Sequence, residues 1–199
     1  MRIRSWTVLS VVAAALAAGC ASDDGAKINH DPVATSGPWT DVTDAVASVT
    51  PLGKSKAHGV VRFSQVEGGV KVTADVEGLK PASKHAFHIH EFGDITGADG
   101  KSAGSHYNPG HADHGGPDSP SHHAGDLGNL DADGKGNAHY ERVIPGLTIA
   151  GDHDAVLGRS VVIHAGTDDF STQPSGTVGD GATRIACGVI GVAKSSVAK

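Results

Sequence analysis

The sequence is poor in residues that build several common kinds of site and element. Its 199 residues contain two cysteines, Cys20 and Cys187, and 4% aromatic side chains. Because no cysteine cluster is present, iron–sulfur centres and cysteine-ligated zinc sites are excluded. Outside the apolar N-terminal segment, no stretch repeats apolar side chains at the 3.6-residue period of an amphipathic helix, which argues against a helical domain.

Positive charge is also scarce. The chain carries 16 Lys and Arg against 22 Asp and Glu, a formal net charge of -6. Two of the basic residues, Arg2 and Arg4, lie in the first nineteen residues, which contain no acid. A chain that lost those residues would be more acidic still, so no nucleic-acid partner is expected.

The first nineteen residues have the composition of an export signal. The basic start is followed by an apolar run from Trp6 to Ala18, which is too short to span a bilayer as a stable helix. The run ends in LAAGC and resembles a bacterial lipoprotein signal, in which Cys20 would be lipidated and become the new N-terminus. An ordinary cleaved signal that contains a cysteine is the alternative. Both predict an exported protein, either periplasmic or tethered to a membrane as a lipoprotein.

The rest of the chain divides into a linker and one domain. Residues 20–40 are small, polar and rich in Pro and Gly, which predicts a flexible linker. Residues 41–199 contain recurring short apolar stretches, and Val70, Val72, Ala74 and Val76 alternate with polar residues as in a half-buried strand. Glu67-Gly68-Gly69 predicts a tight hairpin turn. The fold class is therefore all-β, a sandwich or a barrel.

Two segments of this domain lack the alternating apolar pattern of strands. Residues 93–129 are Gly, His, Asp, Pro and Ser with almost no apolar content, and residues 167–183 form a shorter segment of the same kind. A loop as long as the first is unusual in a compact domain unless it is functional or is ordered by something other than hydrophobic burial. We expect two long loops, with a bound metal ordering the first.

Histidine, in contrast, is abundant, with 13 in the chain. His88 and His90 alternate with Phe87 and Ile89, so in a strand both imidazoles would lie on the open face and the apolar side chains on the inner face. The long loop adds further candidate ligands: His106, His111, His114, His122, His123 and Asp126. Imidazole and carboxylate suit zinc and copper. The residues predict a zinc site of three loop histidines and one aspartate, and a copper site containing His88 and His90.

Seven ordered motifs then resemble one family. They are FHIHEFGD, SAGSHYNP, HGGP, HAGDLGN, GDH, GRSVVIHAG and RIACGVIG, between about His58 and Lys194. Their order and near-spacing resemble those of copper/zinc superoxide dismutases. The resemblance implies a Greek-key antiparallel β-barrel or sandwich of about eight strands, immunoglobulin-like, with two long functional loops. It also implies copper and zinc as cofactors, superoxide anion as substrate, and a homodimer as a candidate assembly.

The resemblance also implies a role for individual residues. The implied copper ligands are His88, His90, His106 and His164, and the implied zinc ligands are His106, His114, His123 and Asp126. His106 would bridge the two metals, detach from Cu(I), take up a proton and help deliver it to the second product. Asp168 would hydrogen-bond a ligand of each metal, and the Arg184 guanidinium would receive the anion beside copper. His106 and Arg184 are thus the expected catalytic residues.

The remaining histidines are not expected to bind metal. The resemblance places His85 as a structural residue under the site, and His111 and His122 beside implied ligands on the loop surface. His30, His58, His139 and His153 belong to no motif and are expected at the surface or in hydrogen bonds.

One departure from the family pattern leaves an alternative function open. Family members join the cysteine of the ACG strand to one in the long loop, but residues 97–104 contain no cysteine. Cys187 is then expected to be a free, buried thiol, and the loop to be ordered mostly by zinc. The missing disulfide favours a non-enzymatic exported copper or zinc buffer on the same fold. Arg184 favours the enzyme, because a buffer has no use for an anion-receiving guanidinium.

Overall fold

The computed structural model describes residues 41–177 and 179–194. The predicted signal peptide 1–19, the linker 20–40 and the lipidation site Cys20 lie outside the described residues. Within the described part of the chain, the helical elements are two short 3₁₀ turns, Lys101–Ala103 and Gly179–Ala182. No described helix has the length and apolar character needed to cross a membrane.

The fold is an antiparallel barrel of eight strands that is nearly closed, which confirms the all-β Greek-key prediction. The strands are β1 Asp44–Pro51, β2 His58–Val66, β3 Gly69–Glu77, β4 Lys84–His90, β5 Asp126–Asp131, β6 Ala138–Pro145, β7 Ser160–His164 and β8 Arg184–Val189, with a short β9, Gly191–Val192, that pairs with β1. Their order across the sheet is β5-β4-β7-β8-β1-β2-β3-β6. Sequence-distant strands such as β4 and β7 therefore lie side by side, joined by long connections.

Alternating apolar residues build the inside of this barrel. In β3, Val70, Val72, Ala74 and Val76 are all buried, as their spacing predicted. Each buried valine of this kind contributes roughly 1.5–3 kcal/mol relative to exposure. The core continues through the inward positions of the other strands, so the barrel is a rigid support for the loops above it.

The β2–β3 hairpin is tighter than predicted. Gly69 pairs with Val66, so the connection consists of Glu67 and Gly68, and Gly69 belongs to β3 instead of to the turn. Gly68 has φ 82°, in the left-handed region that a residue without Cβ adopts at low cost.

The first long loop ends earlier than predicted. β5 begins at Asp126, so the predicted end at Asn129 was wrong and the loop covers residues 91–125. The β4–β5 register shifts between Phe87 and His88, and both Asp126 and Leu127 are buried. Because a bulge disturbs the two-residue alternation, the start of β5 could not be recognised from its pattern.

The outer face of β4 is also not open to solvent. Phe87 and Ile89 point into the core as predicted, but His88 and His90 are only 0% and 1% exposed. The expectation that both imidazoles stand on an open face was therefore wrong. The connections 91–125 and 165–183 supply the side chains that cover this face, and they enclose the imidazoles in a polar chamber.

Candidate metal centre

Two groups of four buried side chains converge over β4. The first is His88, His90, His106 and His164, and the second is His106, His114, His123 and Asp126. In each group, one candidate ligand atom per residue lies within 4.8 Å of all the others. His106 belongs to both groups. The structure thus brings together all seven residues that the family resemblance implied as ligands.

Sheet pairing positions the first group. His88 and His90 lie on β4, and β4 pairs with β7, whose last residue is His164. His106 reaches the group because its backbone forms an isolated bridge with His90. Four imidazoles from sequence positions up to 76 residues apart are therefore held by backbone hydrogen bonds rather than by side-chain packing alone.

Three backbone hydrogen bonds connect the long loop to β4 beside this group. The amide of Tyr107 donates to the Ile89 carbonyl, the amide of Gly125 to the Tyr107 carbonyl, and the amide of Ile89 to the Gly125 carbonyl, each at 2.9 Å. Arg159 stacks on the Tyr107 ring, with its guanidinium carbon 3.4 Å from the ring centroid. These bonds fix Tyr107, in the middle of the loop, and Gly125, at its end, so the residues next to His106 and Asp126 are held at β4.

Five buried ring nitrogens in the centre have no hydrogen-bond partner. They are His88 Nδ1, His90 Nε2, His106 Nε2, His114 Nδ1 and His164 Nε2. His114 Nδ1 is 3.0 Å from Asp126 Oδ2, but this contact does not have the geometry of a hydrogen bond. Leaving a buried polar atom unpaired costs roughly 1–3 kcal/mol, and four of these five belong to the first group. Unpaired imidazole nitrogens converging on one point are what a copper ion requires, so the residues present fit this metal.

The opposite nitrogens of the same rings are all engaged. His88 Nε2 donates to Asp168 at 2.7 Å, and Nδ1 of His90 and of His164 donate to the carbonyls of Gly104 and Ala182 at 3.0 Å. A neutral imidazole that donates from one nitrogen presents a lone pair on the other. These hydrogen bonds therefore select the tautomer in which the unpaired nitrogen can hold a metal.

The second group has the spacing of a tetrahedral zinc site. Asp126 Oδ1 lies 3.0 Å from His106 Nδ1 and 3.2 Å from His123 Nδ1, and its Oδ2 lies 3.0 Å from His114 Nδ1. The Nδ1 atoms of His106 and His123 are 3.4 Å apart. Ligands about 2.0–2.1 Å from a tetrahedral ion stand about 3.3 Å from one another. Three nitrogens and one carboxylate at these distances fit zinc.

Asp168 joins the two groups. Its carboxylate accepts from His88 Nε2 at 2.7 Å and from His114 Nε2 at 2.9 Å, and it is itself buried. Gly176 packs against this junction with φ 64°, and a Cβ there would overlap Asp168 Oδ1 and His114 Nε2. The sequence did not single out Gly176, because nothing in its local pattern reveals a contact made across the fold.

Burial keeps the copper-side imidazoles neutral. Desolvation and the neighbouring His88 lower the pKa of His106 to about 3. Desolvation also lowers the pKa of His88, His90 and His164. Since only the neutral ring can donate a lone pair, these four residues are ready to bind metal at neutral pH.

The zinc side carries the complementary negative charge. Although burial raises the pKa of Asp126, its close contacts with His106, His114 and His123 hold that pKa well below its usual range. Burial lowers the pKa of His114, but the nearby carboxylates of Asp126 and Asp168 outweigh this effect and raise that pKa to about 9. The carboxylates thus favour a positive charge at this position, which a proton or a metal ion can supply.

A channel of about 400 Å³ leads to the copper-side group. His90, His106 and His164 line its floor, and Arg184 and Thr177 line its wall. Arg184 donates to the carbonyls of Gly100 and Gly104, and Gly104 also accepts from His90. The guanidinium is therefore fixed beside the imidazoles. Thr177 is 7% exposed with an unpaired hydroxyl, and sequence reasoning missed it.

The other histidines stand outside both groups. His85 is buried under the site, with Nδ1 donating to the His164 carbonyl at 2.8 Å and Nε2 2.9 Å from Ser83 Oγ. His111 is exposed at the channel wall, and His122 is half-buried beside His123. His58, His139 and His153 are exposed. His30 lies outside the described residues.

Cys187 is a free, buried thiol, as predicted. It packs with Ala103 and Val162 in a small apolar cluster, and burial raises its pKa. It therefore behaves as a small hydrophobic side chain under the 91–125 loop.

Comparison with known proteins agrees with this geometry. Residues 57–190 match the family model described as copper/zinc superoxide dismutase (SODC). A Cu-Zn superoxide dismutase of Paramecium bursaria Chlorella virus 1 is 42% identical over 160 residues, which cover 78% of this chain and 83% of the viral protein.

Fungal relatives are similar to the same degree. A Cu-Zn superoxide dismutase of Candida albicans is 41% identical, and one of Claviceps purpurea (strain 20.1) is 43% identical, each over 145 residues. Each alignment covers 70% of this chain and 93% of the fungal protein.

Proposed function

The chain belongs to the copper/zinc superoxide dismutase family and dismutates superoxide, and we propose that the residues of the metal centre divide this work as follows. Two superoxide anions and two protons give one oxygen and one hydrogen peroxide. His88, His90, His106 and His164 would hold copper, which would supply the electron exchange with superoxide, and His106, His114, His123 and Asp126 would hold zinc, which would supply a fixed charge without redox change. The five unpaired buried imidazole nitrogens are the observation that carries this assignment.

Arg184 acts on the substrate anion. Its guanidinium is half-buried in the channel wall and held by two carbonyls, so it points to a fixed place above the copper-side imidazoles. Its charge persists at every physiological pH. In an acidic protein, a local positive field of this kind draws the anion to the correct end of the channel.

His106 accepts a proton and transfers it to the product. It lines the channel floor, and its Nε2 is buried and unpaired. Because Nδ1 faces the zinc-side group while Nε2 faces the copper-side group, the ring can take a proton at Nε2 without leaving its place. It then passes the proton to the second product.

Metal analysis combined with an assay of superoxide consumption tests this proposal. We expect one copper and one zinc per chain, and an Arg184→Ala variant that keeps both metals but reacts about tenfold more slowly. Arg62→Ala, an exposed arginine on β2, removes the same charge far from the channel and should change the rate little. A protein that holds both metals without consuming superoxide would instead be the metal buffer.

We propose that the enzyme is an exported lipoprotein, anchored to a membrane by an acyl group on Cys20. The basic start, the short apolar run and the LAAGC ending of residues 1–20 support this. Mass spectrometry of the mature protein should find Cys20 as an acylated N-terminus. The wild type should partition into detergent and Cys20→Ser should stay in water. Cleavage at another position, or an unmodified Cys20, would contradict the anchor.

We further propose a homodimer formed through an apolar patch of Phe92, Val189 and Val192. These side chains are 56%, 39% and 47% exposed, and a Cβ at Gly93 would stand 3.2 Å from Val189, so Gly93 adjoins the patch. Exposed apolar side chains next to one another, as at Phe92, Gly93 and Val189, favour burial against a second copy, and a two-fold dimer is the simplest way to bury them.

Sedimentation tests the dimer. The wild type should have the mass of two chains and Phe92→Glu that of one. Val143→Glu places the same charge at a similarly exposed valine elsewhere and should remain dimeric. A wild type that sediments as one chain would refute the proposal.

A further inference from the structure

A large cavity among the described residues lies outside the copper channel. Its volume is about 1010 Å³, and it opens where the β1–β2 and β3–β4 connections meet residues 98–101 and the start of β8. Lys54, Lys56, Lys80 and Lys101 stand around it, and it is called the lysine cavity below. It shares two wall residues, Ala182 and Arg184, with the channel.

Three of the four lysine ammonium groups around the lysine cavity have no acidic partner among the residues that the structure describes. Lys101 pairs with Asp99 at 3.1 Å, and Asp99 is the acid among the lining residues. Lys54, Lys56 and Lys80 are exposed and form no ion pair with any described residue. Three unpaired ammonium groups around one cavity stand out in a chain with an excess of acids.

The floor of the lysine cavity is apolar. Leu52, Leu79 and Ile185 line it together with small alanines. His85 also borders it, but both of its ring nitrogens are already hydrogen-bonded, to Ser83 and to the His164 carbonyl. The Arg184 guanidinium is likewise engaged by two carbonyls. The floor therefore offers a ligand apolar contact, and the rim offers positive charge.

We propose that the lysine cavity binds an amphipathic organic anion. Its carboxylate or phosphate head would be held by the ammonium groups of Lys54, Lys56 and Lys80, and its alkyl body would cover Leu52, Leu79 and Ile185. The volume is in the range of small-molecule sites and exceeds by far the roughly 30 Å³ of one water-sized ion. A neutral ligand leaves the lysines without partners, and a small inorganic anion leaves the floor exposed.

Calorimetric titration of the metal-loaded full chain tests the proposal. A Cys20→Ser background removes the predicted acyl anchor, so no detergent competes for the site. Dodecanoate and dodecyl phosphate should each bind once per chain. Dodecyl glucoside, dodecyltrimethylammonium and acetate, which lack the charge, reverse it or lack the alkyl body, should bind at least about tenfold more weakly, the factor that one charge-assisted hydrogen bond supplies.

Matched variants locate the site. The triple variant Lys54→Gln, Lys56→Gln, Lys80→Gln should lose at least about tenfold in dodecanoate affinity. The triple variant Lys71→Gln, Lys135→Gln, Lys194→Gln makes the same change in net charge at positions that do not line the cavity and should bind as the parent does. Ala98→Trp, which fills the cavity from an exposed position without changing charge, should also block binding.

Three results would overturn the proposal. They are the absence of dodecanoate binding, equal loss of affinity in both triple variants, and equal binding of the neutral or cationic dodecyl compounds. None of them bears on superoxide consumption, which reports the copper channel independently.

Discussion

Gly176 lies where an added methyl group would collide with the contact between Asp168 and His114, which links the two candidate metal sites. A Cβ would overlap both Asp168 Oδ1 and His114 Nε2, and φ 64° is itself unfavourable for any other residue. Gly176→Ala should therefore push Asp168 off His114 and lower zinc affinity by about 10- to 100-fold, the usual effect of losing such a supporting contact. Competition with a zinc chelator measures this directly.

Gly110→Ala is the matched control for this variant. Gly110 lies in the 91–125 loop, which also carries His114 and His123, has no atom within 4 Å of an added Cβ and does not have a positive φ. It should keep the zinc affinity of the wild type. Equal affinities in all three proteins would show that the Asp168–His114 contact does not support the metal.

Prediction from sequence succeeds at this scale where a side chain carries the chemistry. Residue type and spacing predicted that His88, His90 and Asp126 belong to a metal site, and the structure places them in two adjoining groups that share His106. The carbonyls of Gly104 and Ala182, which orient two ligand rings, have no side-chain signal. Thr177 and Gly176 act through contacts that depend on the path of the second loop, which no local pattern describes.

Among the elements, the 91–125 loop depends most on something other than apolar burial. The hydrogen bonds among Ile89, Tyr107 and Gly125 hold residues 107 and 125 near β4. The segment between them is held mainly through the contacts of His114 and His123 with Asp126 at the start of β5. Removing zinc should expose residues 106–125 to hydrogen exchange. It should lower Tm by about 10 °C, because a tightly bound ion contributes about 4 kcal/mol of stability at a thousandfold excess over Kd.

Selective removal of copper provides the control. His88 and His90 lie within β4 and His164 ends β7, so their positions are set by sheet pairing. In the zinc-loaded, copper-free protein the loop should stay protected from hydrogen exchange, and the Tm should fall by less than it does in the zinc-free protein. A zinc-free protein with an unchanged Tm would show that hydrogen bonds alone order the loop.

Strand positions were more predictable than loop boundaries. The alternation in β3 and the two-residue period of β4 follow from the pleat, and both are present in the structure. The bulge that starts β5 and the loops that cover His88 and His90 are tertiary effects. They bury polar residues, and a pattern of apolar side chains contains no information about them.

For the molecule as a whole, the buried imidazoles predict a strong acid sensitivity of the metal-free form. His88, His90, His106 and His164 have lowered pKa values when folded. As pH falls through about 6.5, the unfolded chain takes up protons at these rings and the folded chain does not, so stability falls. The free energy of unfolding should drop by at least about 2 kcal/mol between pH 7 and pH 5, the effect of one such ring.

His114 acts in the opposite direction over a different range. Its folded pKa of about 9 adds stability that is complete once pH is below about 6.5, so it does not offset the loss at lower pH. Urea unfolding in the presence of a chelator measures the effect, and the metal-loaded protein should change less. A metal-free protein that is more stable at pH 5 than at pH 7 would contradict the assignment of neutral rings.

Cys187 determines how the domain responds to reductants. With its sulfur buried and unbonded, it contributes no disulfide to the described part of the fold. Reductants such as glutathione therefore have no bond to break there, and we expect the folded domain to keep its activity in reducing buffer.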